Sequence, residues 1–169
     1  MLKSILETER LLLRQPTLDD AGFLLNIVNE PSWLQYVGDR NVHTIDEAKN
    51  YLLNGSIKSF ETNGFGFGIV ILKETGTLIG MCGLVKRDFL EDVDIGFAFF
   101  PQYTGKGYAF EAADAMMRYA RVHLGIHRIA AITTQDNESS IKLLKKIGFQ
   151  PDKTIVVDGE ELFLFLNSS

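Results

Sequence analysis

Short apolar runs alternate with polar breaks along the first third of the chain. Residues 10–14 read RLLLR, an apolar run suited to a strand. Thr17, with Asp20 three residues on, opens a helix in capping-box fashion. Phe23, Leu24, Ile27 and Val28 share one face of that helix to about Asn29, and Pro31 ends it. Residues 32–41 (SWLQYVGDRN) predict a short helix and a loop. Thr44-Ile45-Asp46-Glu47 is a second capping box, with a helix to about Phe60. Residues 65–72 and 78–85 flank Glu74-Thr75-Gly76 and predict a hairpin, and residues 93–100 predict a strand ended by Pro101. From about Gly107 to Leu124 a long helix is expected, burying Phe110, Ala113, Met117, Ala120 and Leu124 at helical spacing. Residues 128–134 predict a strand, and residues 139–147 a helix stopped by Gly148 in the left-handed cap conformation. Two last strands, 154–157 and 162–166, are joined by the tight-turn pair Asp158-Gly159.

The order β-α-α-β-β-β-α-β-α-β-β predicts an α/β chain with a mixed sheet and helices on both faces. With no repeat, low-complexity tract or Pro/Ser-rich linker, residues 1–169 read as a single domain. The net charge of −5 argues against broad nucleic-acid binding, which needs basic surface. Cys82 is the single cysteine and cannot close an internal disulfide. His43, His123 and His127 are scattered, so no metal site is expected. No apolar run reaches the length of a membrane span, and the N-terminus turns charged at Glu7, Glu9 and Arg10. The expected location is cytoplasmic, with no membrane partner.

Candidate chemistry concentrates in residues 94–112, DIGFAFFPQYTGKGYAFEA: an apolar strand, a Gly-rich turn and a helix start. Such a turn lets backbone N–H groups approach a pyrophosphate, and the helix N-terminus and Lys106 add positive charge. A P-loop does not fit, since Gly107 and not Ser or Thr follows Lys106. A Rossmann fingerprint does not fit either. It needs a third helix glycine and an acid at the end of the next strand, where Thr133 and Thr134 stand. Taken alone, the segment is open to two readings, an anion site or a plain Gly-rich connection.

Residues 137–149 read NESSIKLLKKIGF, an N-x-x-S start followed by apolar positions and K-x-G-F. With TGKGYA, this resembles the GNAT superfamily of acetyltransferases. Residues 8–20, TERLLLRQPTLDD, resemble the opening of its ribosomal-protein alanine and serine N-acetyltransferase subgroup. The resemblance implies a sheet splayed into a V by a bulge in the strand before the turn. Acetyl-CoA would lie in the V, its pantetheine arm on the strand that holds Phe97, Ala98 and Phe99. The family's phosphate loop fits two registers, 102–107 (QYTGKG) and 104–109 (TGKGYA). The second keeps the helix start in its usual relation and makes Thr104, Gly105, Lys106, Gly107, Tyr108 and Ala109 the cofactor-binding residues. Asn137 carries over as a hydrogen-bond partner of the cofactor, and Ser140 faces its thiol. The tyrosine acid that many members hold seven residues after this asparagine is replaced by Leu144.

The implied activity is acetyl transfer from acetyl-CoA to a primary amine, a protein N-terminus or a small amine, by direct attack in a ternary complex. Backbone N–H groups at the bulge would hold the oxyanion. The alternative is an acyl-CoA sensor of the same fold without turnover. Asp94, at the head of the strand, is the candidate base, set against a plain solvated strand-end carboxylate. Trp33, Tyr36, Asp39 and Arg40 border the acceptor site by resemblance, with Trp33 and Tyr36 as its binding residues. Cys82, Met116 and Met117 read as core, His43 as a loop histidine, and Lys142, Lys145 and Lys146 as a solvated helix face.

Overall fold

A computed structural model describes residues 2–167. Two N-terminal strands, β1 (Ser4–Glu7) and β2 (Leu11–Arg14), precede the helices α1 (Ala21–Val28), α2 (Pro31–Tyr36), α3 (Ile45–Leu52) and α4 (Lys58–Asn63). Next come β3 (Phe67–Leu72), β4 (Thr77–Val85), β5 (Asp94–Phe99), α5 (Tyr108–His123), β6 (Ala130–Thr134), α6 (Glu138–Lys146), β7 (Phe149–Val157) and β8 (Glu160–Asn167). All eight strands form one sheet in the order β1-β2-β3-β4-β5-β6-β8-β7. It is a mixed sheet: β5 and β6 run parallel, and every other neighbouring pair is antiparallel.

The capping expected at Thr17 is present in full. Its hydroxyl accepts from Asp19 N–H, and Asp20 returns a bond to Thr17 N–H, opening a short 3₁₀ turn that leads into α1. Asp20 also forms a buried two-bond pair with Arg14 of β2, at 2.8 and 2.9 Å, which fixes the first helix to the sheet. Burial works to raise the Asp20 pKa, but the bonds from Arg14 and Thr17 outweigh it and hold the carboxyl below its usual range. At the second cap, Thr44 accepts from Glu47 N–H, but the Glu47 carboxylate takes His43 N–H and not that of Thr44. The following helix is not continuous: a π turn, Leu53–Ile57, separates α3 from α4.

Two apolar clusters cover the two faces of the sheet. Leu11, Leu13, Val70, Ile79, Cys82 and Leu84 pack with Ala112, Ala113, Met116 and Ala120 of α5 and with Leu144 of α6. On the other face, Met81 packs with Leu24, Ile27, Val28, Trp33, Ala48 and Leu52 of α1, α2 and α3. The buried stripe of α5 is therefore turned from the expected one. Ala113 and Ala120 are core, whereas Phe110, Met117 and Leu124 are half-buried, and Phe110 is covered by Lys146 at 4.3 Å. Alanines let α5 lie close on the sheet, which pushes the larger side chains to its flanks.

Three further differences from the sequence reading have local causes. β1 is an additional strand, short and half-exposed, with too little alternation to announce itself. β7 starts at Phe149 and runs through Pro151, which an edge strand tolerates, with a register shift beside it. Finally, the bulge expected in β5 is not there: β5 pairs with β4 without a break from Gly80↔Phe99 to Val85↔Asp94. The sheet opens on the other side, because β5 and β6 share only the pair Asp94↔Ala130 and then part.

Candidate active site

The parting of β5 from β6 is the frame of a cleft of about 730 Å³. One wall is the open edge of β5, with Asp94, Gly96, Phe97 and Ala98. Facing it are Ile132 and Thr133 of β6, Asn137 and Ser140 at the start of α6, and Leu144 two turns along it. The far end is closed by Trp33 and Tyr36 of α2, Arg40 of the loop after it, Tyr51 of α3, Asn54 of the π turn and Lys58 of α4.

The direction of the β5 backbone follows from its ladder. Phe100 N–H donates to Ile79 on the β4 side, whereas Val93 C=O accepts from Ala130 on the β6 side. Alternation then points the N–H and C=O of Phe97 and Phe99 away from β4, to the side where β6 has diverged. These groups can pair with an extended, amide-bearing ligand.

Beyond β5 the chain passes a 3₁₀ turn, Pro101–Tyr103, and enters α5 through Thr104, Gly105, Lys106 and Gly107. Gly105 (φ 74°) and Gly107 (φ 84°) are both left-handed, a conformation that disfavours any side chain. A Cβ on Gly107 would also meet Arg10 Nη2 at 3.2 Å. The backbone bonds of this turn do not use the N–H groups of Gly105, Lys106 or Gly107. Those of Tyr108 and Ala109, in the first helical turn, have no acceptor within the helix. Together they make a bend whose unused N–H groups could receive an anion. Arg10 holds it from below: Nη1 donates to Lys106 C=O at 3.1 Å, Nε donates to Glu111 at 2.7 Å, and the guanidinium lies over the Tyr108 ring at 4.4 Å. Thr8 O–H and Arg10 N–H also bond the Glu111 carboxylate. Burial works to raise the Glu111 pKa, but these bonds dominate and hold it below its usual range.

Asp94 is not a solvated strand end. It is 1% exposed, and Arg87 Nε donates to its carboxylate at 3.0 Å. Burial pushes its pKa up to about 6 against the opposing pull of Arg87. Asn137 is the N-cap of α6, its side-chain oxygen accepting Ser140 N–H at 3.3 Å. That leaves its amide N–H groups for the cleft. Trp33 is core, 6% exposed, with an indole N–H that has no partner among the described residues.

The cleft thus gathers eight of the site residues singled out in the sequence: Trp33, Tyr36, Arg40, Asp94, Phe97, Ala98, Asn137 and Ser140. Phe99, Thr104, Gly105, Lys106, Gly107, Tyr108 and Ala109 do not line it; they form the end of β5 and the bend into α5. Asp39 and His43 pair with each other at 3.5 Å, outside the cleft. Cys82 is fully buried in the α5-side core, and burial pushes its thiol up to about 12. Arg87, Lys58, Asn54 and Thr133 line the cleft without having been anticipated. No local signal marks them, since each reaches the cleft only through pairing or packing with distant segments. Among the described residues no cluster of His, Cys, Asp or Glu is arranged to hold a metal, and no helix is long and apolar enough to cross a membrane.

Comparison with known proteins bears on the fold and the family. The family described as Acetyltransferase (GNAT) domain matches residues 10–150. The N-acetyltransferase YoaA of Bacillus subtilis is 32% identical, over 88% of this chain and 84% of its own. The ribosomal protein uS5-alanine N-acetyltransferase of Escherichia coli is 31% identical over 63% of this chain and 58% of its own. Among solved structures, the ribosomal L7/L12 α-N-protein acetyltransferase RimL in complex with coenzyme A superposes with a TM-score of 0.82. It is 15% identical and covers 98% of this chain and 97% of that one.

Proposed function

The chain belongs to the GNAT acetyltransferase family and is an acetyltransferase, and we propose that it transfers acetyl from acetyl-CoA to a primary amine by direct attack within the cleft. The observation that carries this reading is the open edge of β5, which faces Asn137 across the cleft and whose strand leads directly into the Gly105–Gly107 bend. It matches an amide-bearing arm that ends in phosphates. In this reading Phe97 and Phe99 pair with the arm, and Asn137 donates an amide N–H to it. Thr104, Gly105, Lys106, Gly107, Tyr108 and Ala109 receive the phosphates. We take residues 1–169 as one domain, since strands near both ends pair into the one sheet.

The acceptor amine enters from the α2–α4 end, between Trp33 and Tyr36 and the strand. It arrives as ammonium, with a pKa near 8 for an α-amine and near 10 for a lysine, and cannot attack until it loses a proton. Asp94, at the head of β5 and facing the cleft, takes that proton directly or through a water. A carboxyl pushed up to about 6 is a stronger base than an ordinary aspartate and is still ionised at neutral pH. The amine nitrogen then bonds the thioester carbon, the C–S bond breaks, and Ser140 O–H faces the departing sulfur. Since β5 has no bulge, the N–H groups of its open edge, at Phe97 above all, take the oxyanion role. Cys82 has no part in this: it lies outside the cleft and is held as a thiol.

The test is acetyl-CoA consumption against a panel of peptides and small amines, with mass spectrometry of the product, in the parent and in Asp94→Asn. We expect the variant to bind acetyl-CoA as the parent does. Its turnover at pH 7 should fall by roughly 10²–10⁴, the range of general-base catalysis. The acidic limb of the parent's pH–rate profile, near 6, should vanish in the variant, and the deficit should narrow at high pH where the amine is already neutral. Full activity of Asp94→Asn at pH 7 removes Asp94 from the mechanism. Absence of any acetylated product with the whole panel removes the transferase reading of the cleft.

A further inference from the structure

We infer that the amine acceptor carries a carboxylate near its reactive amine, and that Arg40 and Lys58 on the helical wall of the cleft receive it. The inference rests on the transferase reading above and adds the class of acceptor.

The ground is the charge of the cleft, wall by wall. The wall formed by α2, the loop that follows it, α3, the π turn and α4 presents Arg40 and Lys58 and no carboxylate at all. Both side chains are exposed, and among the described residues neither has an ion-pair or hydrogen-bond partner. On the sheet side Asp94 is matched by Arg87 at 3.0 Å, and Lys86, which donates to Glu91 C=O at 3.4 Å, and Asp88 complete the charged lining. The cleft thus sets four basic residues against two acidic ones in a chain whose net charge is −5. An acidic protein has concentrated positive charge at the mouth of its site.

That distribution discriminates between acceptor classes. A polyamine bound with one nitrogen at Asp94 has to lay its remaining ammonium groups along the helical wall. There it meets Arg40 and Lys58 and no counter-charge. Like charges in a partly desolvated cleft repel more strongly than in bulk water. A carboxylate on the acceptor reverses the sign of the same interaction, and opposite charge in a cleft also draws the ligand in. The π turn is a second, independent sign that this wall is a recognition surface. Inserted between α3 and α4, it brings Asn54, Gly55 and Ser56 to the cleft, and such turns occur mostly at functional sites. The carboxylate has two possible sources of the same chemistry: a free amino acid, or an acidic side chain close behind a peptide's N-terminus.

The experiment measures kcat/KM with the full chain, acetyl-CoA and four acceptors: a short peptide with Glu at its second and third positions, the same peptide with Gln there, free glutamate, and spermidine. The expected result is that a carboxylate-bearing acceptor leads, either the Glu peptide over its Gln counterpart or free glutamate over both; which one leads identifies the source. Arg40→Gln and Lys58→Gln should each raise KM for that acceptor by roughly fivefold, the upper range for one exposed charge pair. Lys58→Glu should narrow or invert the preference. Acetyl-CoA affinity, read by calorimetry, should stay with the parent value in all three variants, which also shows that they fold. Spermidine or the Gln peptide as the best acceptor, or a preference indifferent to both substitutions while acetyl-CoA still binds, overturns the acceptor assignment and leaves the transferase reading standing. Failure of the parent to bind acetyl-CoA overturns both.

Discussion

At Asp94 the same burial that would make the carboxylate a stronger base also costs stability. Its carboxyl titrates near 3.8 when unfolded and at about 6 when folded, because burial penalises the charge. Between those values the folded chain holds the proton more tightly than the unfolded chain does. Stability therefore falls as pH rises through the window, and the full cost, about 3 kcal/mol, is present above it. Asp94→Asn removes that cost while keeping the shape, and Arg87 retains access to water with its side chain 30% exposed. Thermal unfolding at pH 8 should show the variant more stable than the parent, with the gain gone at pH 3.5. A variant less stable at pH 8 would mean that the ion pair with Arg87 outweighs the burial. The position of Asp94 at the strand head was legible in the sequence, and its burial was not. Arg87 is seven residues away, across the turn between β4 and β5, and only the register Val85↔Asp94 brings the two together.

Among the elements, α6 begins with a side chain that caps the helix and, in the function proposed above, also serves the site. The side-chain oxygen of Asn137 caps the helix, and its amide N–H groups are left for the cleft. Two substitutions separate the functions. Asn137→Asp keeps an oxygen that can accept Ser140 N–H but loses the donor; it should retain stability and weaken acetyl-CoA binding. Asn137→Ala loses both, and should cost about 1 kcal/mol of folding stability for the cap together with about 1–2 kcal/mol of binding. Calorimetry beside thermal unfolding reads the two effects independently, and equal stability losses in both variants would refute the division. Helix starts such as Thr17 and Thr44 were legible because a cap is a local arrangement of a few residues. The π turn was not, since Leu53–Ile57 is ordinary helical sequence. The face of α5 was legible as a period and wrong in phase, because the closeness of alanine-rich packing decides which flank the larger residues take.

Across the whole molecule, the clasp of Thr8, Arg10 and Glu111 ties the N-terminal strands to the start of α5, about a hundred residues further along the chain. The Glu111 side chain is 19% exposed and its pKa is held low. Its stabilising contribution is complete above the unfolded carboxylate value and is lost as pH falls through the lower folded one. Glu111→Gln should therefore destabilise the parent fold at pH 7 by about 1–3 kcal/mol, the worth of hydrogen bonds to a charged group. The difference should close at pH 3 or below. Thermal scans at the two pH values check this, and a gap that persists in acid would mean that shape and not charge makes the clasp. The residues RL of the opening motif and EA of the helix were both visible in the sequence, but their contact spans the sheet and belongs to the fold.

The parting of β5 and β6 also bears on selectivity. A sheet edge on the outside of a protein pairs with whatever strand arrives, including another copy's. Here the edge lies in a cleft walled by α2–α4 and α6, where a neighbouring sheet cannot follow. What can enter is one slender, extended chain with amides at strand spacing. The cleft thus filters ligands by thickness before it tests their chemistry, and the same recess that admits a thread shields the exposed edge from self-association.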